Sequence, residues 1–168
     1  MLHPTRNTLP ESMRTQSVEH LNRFLAAAID LHAQLKQAHW NVRGPNFIAI
    51  HELFDKVSMQ AEDFSDLIAE RVGALGGVAN GTVQTASAQS FLIKYPLGID
   101  DEQKHIFAVA GALAAFGQAI QEGITKATKM GDATTADVLT EISRGIDKQL
   151  WFVESHVERQ LSDHRKPT

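Results

Sequence analysis

The chain of 168 residues contains no cysteine. That excludes disulfides, thiolate metal sites and cysteine nucleophiles, and it suits a reducing compartment such as the cytoplasm. No apolar run approaches the roughly 18 residues that span a bilayer, and the opening MLHPTRNTLPESMRTQ has no apolar stretch of the secretory-signal kind. A soluble, cytoplasmic protein with no membrane partner is expected. Alternating strand patterns, internal repeats and phosphate-cradling glycine loops are also missing. The net charge is only −4, so no overall basic surface points to nucleic acid. Hydrophobic residues at 43% and charged residues at 21% are ordinary for one globular domain with a substantial core.

What remains is helical periodicity. Residues 1–16 are polar, hold two prolines, and read as a flexible tail. A first helix is expected from about Ser17, a plausible N-cap, to Val42, with Leu21, Leu25, Ala28, His32, Leu35 and His39 as its inward seam. Gly44-Pro45 stops it, and a second helix follows to Ala74 on the seam Phe47, Ile50, Phe54, Val57, Ala61, Phe64 and Ile68. The stretch 76–98 reads as a long connection with a short helix between Gln84 and Ile93. A third helix runs from about Ile99 to Lys129, and a fourth from Thr134 to about Leu161. The fold class is all-α: a four-helix bundle over 17–162, with a long crossover between helices 2 and 3 carrying a short extra helix. A short basic tail, 163–168, closes the chain.

On the second helix the seam is flanked by a polar stripe, His51, Asp55, Glu62, Asp66 and Glu70. Asp55 lies four residues after His51 and Glu70 four after Asp66, so each pair shares a helix face. Imidazole with carboxylate suits iron, manganese or zinc. Eleven residues separate Asp55 from Asp66, or about 16 Å of helix at 1.5 Å per residue. Metal–ligand bonds are about 2 Å long, so the two pairs of one helix cannot hold one ion. An antiparallel second copy, related by a two-fold axis, would set His51 and Asp55 of one chain against Asp66 and Glu70 of the other. His39, across the Gly44-Pro45 break, would join His51 from the neighbouring helix. Singly, each of these residues is better explained by a solvated helix face; the joint pattern, flanked by apolar seams, favours the ligand reading. Glu102 and His105 form a lone Glu-x-x-His, read as a surface pair, because no second such motif accompanies it. Asp132, Asp137 and Glu141 near the start of the last helix are either dipole-complementing acids or an acidic funnel where subunits meet.

The segment AHWNVRGPNFIAIHELFD, then Asp66, Ala69-Glu70-Arg71 and Leu75-Gly76-Gly77, closely resembles the Dps family, the miniferritins of the ferritin-like class. KYPLG (94–98) and TADVLTEISRGIDKQLWFVESHVE (135–158) are similar to that family's crossover and last helix. The resemblance implies a homododecameric cage of ferritin-like subunits. It implies a two-iron ferroxidase centre at the dimer interface, with His39, His51 and Asp55 from one subunit and Asp66 and Glu70 from its partner. Zinc is an alternative occupant. Trp40 matches an aromatic beside the centre that can quench radicals. Asp132, Asp137 and Glu141 match acids of an iron-entry pore. The implied activity is oxidation of Fe(II), preferably by hydrogen peroxide, with storage of Fe(III) mineral and protection of DNA. The alternative is a DNA-compacting nucleoid protein with a secondary iron site. In the family DNA binding often uses a lysine-rich arm. Here the N-terminal tail has no lysine, and the candidate DNA contacts reduce to Arg6, Arg14, Arg165 and Lys166.

Overall fold

The computed structural model describes residues 2–157. Five helices follow one another: α1 (Glu11–Asn41), α2 (Phe47–Ala74), α3 (Val83–Gln89), α4 (Glu102–Met130) and α5 (Ala133–Glu154). The four long ones form the bundle, and α3 is the short helix within the crossover. Short turns join α1 to α2 and α4 to α5, so each pair is an antiparallel hairpin. The hairpins pack α1 against α4 and α2 against α5. Every proline among the described residues lies outside these helices, as its missing N–H requires. This is a ferritin-like four-helix bundle, the expected class.

The expected seams supply most of the core, with Leu31 and Leu139 added to it and Phe47 left exposed. Leu21, Leu31, Leu35, Ile50, Phe54, Ile68, Ile106, Leu113, Phe116, Ile120 and Leu139 are all fully buried. Each such side chain contributes about 1.5–3 kcal/mol on leaving water. α4 is long and apolar enough, by length and composition, to cross a membrane. Its hydropathy comes from the seam that packs into the bundle, together with many alanines.

Polar side chains of α1 fix the crossover along its length. Asn22 Nδ2 donates to the Val78 carbonyl, Asp30 accepts from Ser90 Oγ, and Gln34 Nε2 donates to the Ile93 carbonyl. Thr82 caps α3, accepting from the Thr85 N–H. α2 is closed off just beyond Ala74 by Gly76, whose φ of 80° lies in the left-handed region open to glycine.

The largest departures from the sequence reading lie toward the two ends of the chain. α1 begins at Glu11 behind Pro10, not at Ser17, and Ser17 lies buried inside it. The segment before α1 is packed onto the end of α2: the His3 N–H donates to the Gly76 carbonyl and Asn7 Nδ2 to that of Ala74. α5 ends at Glu154, and Gln103 Nε2 donates to the His156 carbonyl just beyond. Residues 155–157 are no longer helical, and the rest of the expected continuation to Leu161 and the basic tail 163–168, with Arg165 and Lys166, lie outside the described residues.

The Glu102–His105 pair is not on the surface. Glu102 is 5% exposed and His105 2%. Glu102 accepts from the backbone N–H and from Nδ2 of Asn46, so it anchors the α1–α2 turn. A side chain at Gly44 would meet Glu102, with Cβ 2.7 Å from the Glu102 Cβ and 2.3 Å from its Oε2. The near-backbone contact removes the option of a simple rotamer change. Gly44→Ala is therefore expected to cost about 1–3 kcal/mol, as overpacking does. Thermal unfolding checks this, at about 2–4 °C per kcal/mol in a domain of this size.

Candidate metal centre

His39 stands in the last turn of α1 and His51 in the first turns of α2. The Gly44-Pro45 turn folds one onto the other, and their rings stack with centroids 3.8 Å apart. Each ring is held by the other's backbone: His39 Nδ1–H donates to the His51 carbonyl, and His51 Nδ1–H donates to the His39 carbonyl, both at 2.8 Å. A carbonyl only accepts, so both Nδ1 atoms carry the proton. Both Nε2 atoms are thereby left with lone pairs, the state a metal ligand needs.

Asp55, one turn after His51, completes this group. Its Oδ1 lies 3.9 Å from His39 Nε2 and 2.6 Å from the Nζ of Lys36. The hydrogen bond from Lys36, together with the charge of its ammonium, holds the Asp55 carboxyl below its ordinary value. Lys36 is absent from the sequence-based set. The available signal was its place three residues before His39, on the same face of α1. It sets a cation of the protein beside the carboxylate that would meet a metal.

Asp66 and Glu70 are exposed, further along the same unbroken helix. The 16 Å separation inferred from spacing therefore applies. Among the described residues, no three His, Asp or Glu side chains of one chain converge closely enough to hold a metal ion. The stripe also carries apolar side chains in the open: Ile48 is 62% and Met59 51% exposed, and Phe47 is 37% exposed with its ring tilted against His51. Exposed apolar groups along a polar stripe mark a contact face. Trp40 closes one end, 66% exposed, with Lys36 Nζ 5.8 Å from its ring centroid.

His32 has Nδ1 bonded to the Ser58 carbonyl, which pins α1 to α2 below the site. Asp137 and Glu141 are exposed on α5. Asp132 is not: it has no exposure, and both oxygens are engaged. Oδ1 accepts from Arg71 at 2.8 Å and from the Thr135 N–H, and Oδ2 accepts from Ser17 and Thr135 hydroxyls at 2.6 Å. It is the N-cap of α5 and a buried tie between α1, α2 and α5, which removes it from the acids available to a pore. Arg14 is also committed. Its guanidinium donates to the carbonyls of Leu9 and Leu75, which clamps the leading segment to α2 instead of facing a polyanion. Arg6 is exposed.

The profile of the ferritin-like domain matches residues 18–161. The matched span and the four-helix architecture with its crossover make the chain a ferritin-like protein. It is 42% identical over 158 residues to the DNA protection during starvation protein of Agrobacterium fabrum, covering 94% of this chain and 98% of that one. DpsC from Streptomyces coelicolor superposes with a TM-score of 0.90 at 27% identity, covering 100% of this chain and 95% of that chain. Dps from Microbacterium arborescens in the high iron form gives a TM-score of 0.83 at 36% identity, covering 91% and 99%. Within the ferritin-like class the chain belongs to the Dps family.

Proposed function

We propose that the chain is a ferroxidase and iron store whose oxidation site is shared between two-fold-related subunits of a dodecameric cage. The observation that carries this is the reciprocal bonding of His39 and His51, which leaves Nε2 of both rings free, that of His39 3.9 Å from the Asp55 carboxylate. Asp66 and Glu70 of the neighbouring subunit supply the remaining oxygens. The donor set fits Fe(II), which accepts imidazole and carboxylate, and the carboxylates favour Fe(III) as it forms. The ligands hold two Fe(II) substrates close together. Each gives one electron to hydrogen peroxide, which takes up two protons and leaves as two waters. Splitting the two electrons between two irons avoids a free hydroxyl radical. Fe(III) then hydrolyses and is stored as an oxide-hydroxide mineral in the cavity. Trp40, exposed at the edge of the site, intercepts radicals that escape. Asp137 and Glu141 give the entry route its negative potential.

Protection of DNA then follows from removing iron and peroxide together, without a DNA contact. DNA compaction is the second reading, but the tied Arg14 leaves little free basic arm in the described leading segment. A gel shift that shows a complex at low salt would restore it.

Stopped-flow mixing of protein with anaerobic Fe(II) and then hydrogen peroxide or oxygen tests the proposal, on particles sized by light scattering. Fast oxidation by a dodecamer at about two irons per peroxide supports it. A rate no faster than buffer removes it.

Lys36 gives a further prediction. Its ammonium neutralises Asp55 and must yield when a cation binds. Lys36→Gln is expected to bind Zn(II), a redox-silent probe, a few-fold more tightly than wild type. Isothermal titration calorimetry at constant ionic strength checks this, and weaker binding would show that Lys36 organises the site instead of competing for it.

A further inference from the structure

Tyr95 is the chain's only tyrosine, and it lies in the crossover with its Oη 2.5 Å from Nδ1 of His105 on the first turns of α4. The rings lie with centroids 6.1 Å apart, 27° from parallel. His105 is buried, and its Nε2 has no hydrogen-bond partner. The tautomer follows by counting satisfied groups. With the proton on Nδ1, the phenol O–H would have no acceptor among the described side chains, and the bare Nε2 would lack a donor. With the proton on Nε2, the phenol donates to Nδ1 and only one group is unsatisfied. The second arrangement is favoured, because each unsatisfied buried group carries a penalty.

Burial lowers the pKa of His105 and pushes that of Tyr95 up to about 12, so both rings are neutral near pH 7. The Ile99 backbone carbonyl and the Asp101 carboxylate favour a charged His105 ring, so a proton arriving there is partly compensated. Beside the phenol lies an apolar groove of about 230 Å³, lined by Ile93, Pro96 and Phe107 among others, which a small oxidant can enter. A phenol held only for packing needs no base on its proton, and phenylalanine would fill the same apolar site.

We propose that Tyr95 and His105 form a proton-coupled redox pair that traps one-electron oxidants as a neutral tyrosyl radical. The role rests on the reading above, in which the chain handles Fe(II) and peroxide. The oxidant is a hydroxyl radical, formed when one Fe(II) meets peroxide away from the paired site. One electron leaves the phenol ring and, with a solvent proton, reduces the hydroxyl radical to water. The O–H bond of Tyr95 breaks and its proton moves to His105 Nδ1. A later Fe(II) returns the electron, becoming Fe(III), and the proton moves back to Tyr95. One radical and one Fe(II) are thereby consumed without damage to the chain.

The test uses the assembled protein and a photogenerated Ru(III) polypyridyl oxidant, so that its result does not depend on ferroxidase activity. Freeze-quench EPR after the flash is expected to show a tyrosyl signal, assignable to Tyr95 because no other tyrosine exists. Tyr95→Phe abolishes it. His105→Gln keeps an acceptor for the phenol but not a base. It is expected to slow radical formation by about 100-fold or more, at the lower end of general-base effects. Circular dichroism and particle size establish that the variants fold and assemble. A wild-type signal from tryptophan alone, or an equal tyrosyl rate in His105→Gln, overturns the pair. In a second arm Fe(II) and peroxide replace the flash. Iron oxidation without a tyrosyl signal overturns the role in iron chemistry while leaving the ferroxidase reading intact.

Discussion

His51→Ala and Asp66→Ala are each expected to lose fast iron oxidation, and a mixture of the two to regain part of it. Changing groups that merely support a metal ligand costs about 10–100-fold. Removing a ligand should cost at least that. The two residues lie fifteen positions apart on one continuous helix, about 22 Å at 1.5 Å per residue. No single ion can touch both within one chain. If the centre is shared, a two-fold dimer has two centres, each with His51 from one chain and Asp66 from the other. A dimer of two identical mutant chains damages both. A mixed dimer pairs the intact His51 of one chain with the intact Asp66 of the other, so one centre is whole and the second carries both lesions. Random exchange makes about half of the dimers mixed, so roughly a quarter of all centres should recover. Stopped-flow rates before and after dissociation and reassembly give the answer, with native mass spectrometry to count mixed particles. Mixed particles with no recovered rate would show that the ligands are not divided between chains.

The helical spacing that motivates this experiment was legible in the sequence because it is local. His51, Asp55, Asp66 and Glu70 sit on one helix, and a helix fixes which side chains share a face. The bundle was legible for the same reason: apolar residues recur at three and four spacings along the long helices, and most of them, from Leu21 to Ile146, are buried where expected, while Phe47 at the start of α2 is exposed. The partnership of His39 with His51 was only partly legible. Gly44-Pro45 announces a turn, but the exchange of Nδ1–H bonds between the two rings and the two backbones requires the geometry of that turn.

The misreadings share one physical cause. Ser17, Arg14, Glu102 and Asp132 are polar residues near helix ends, where local patterns speak of caps, solvated charges and dipoles. Their actual partners are distant in sequence. Ser17 donates to Asp132, 115 residues away, and Arg14 reaches Leu75, 61 residues away. Glu102 grips Asn46 across 56 residues. A hydroxyl or carboxylate looks the same in sequence whether it meets water or a buried partner, so tertiary satisfaction of polar groups leaves no local trace. Asp132 was half legible: its capping of α5 follows from Asp132-Ala133-Thr134-Thr135, but its burial depends on Arg71 arriving from α2.

Asp132 carries the second large prediction. Burial alone would push its carboxyl up. Hydrogen bonds from Ser17 and Thr135, with the Arg71 guanidinium, outweigh that and hold it below the usual carboxylate value. Asp132→Ala leaves Arg71, 9% exposed, without its partner, and strips α5 of its cap. Breaking a buried pair from one side costs about 3–5 kcal/mol. At about 2–4 °C per kcal/mol, the midpoint of thermal unfolding should fall by roughly 6–20 °C. The pH dependence has a definite sign. Because the folded carboxyl is the stronger acid, its contribution is complete above the unfolded value of about 3.9 and fades as pH falls through the lower folded value. The gap between wild type and variant should therefore be widest near neutrality and narrow below about pH 4. Asp132→Asn separates cap from pore. If Asp132 is a buried tie, the variant loses stability while Fe(II) entry at a permissive temperature stays near wild type. If iron uptake slows severalfold with the unfolding midpoint unchanged, the carboxylate faces the entry route after all. Asp137→Asn is the control with the opposite expectation: this exposed side chain should leave unfolding untouched and slow iron uptake.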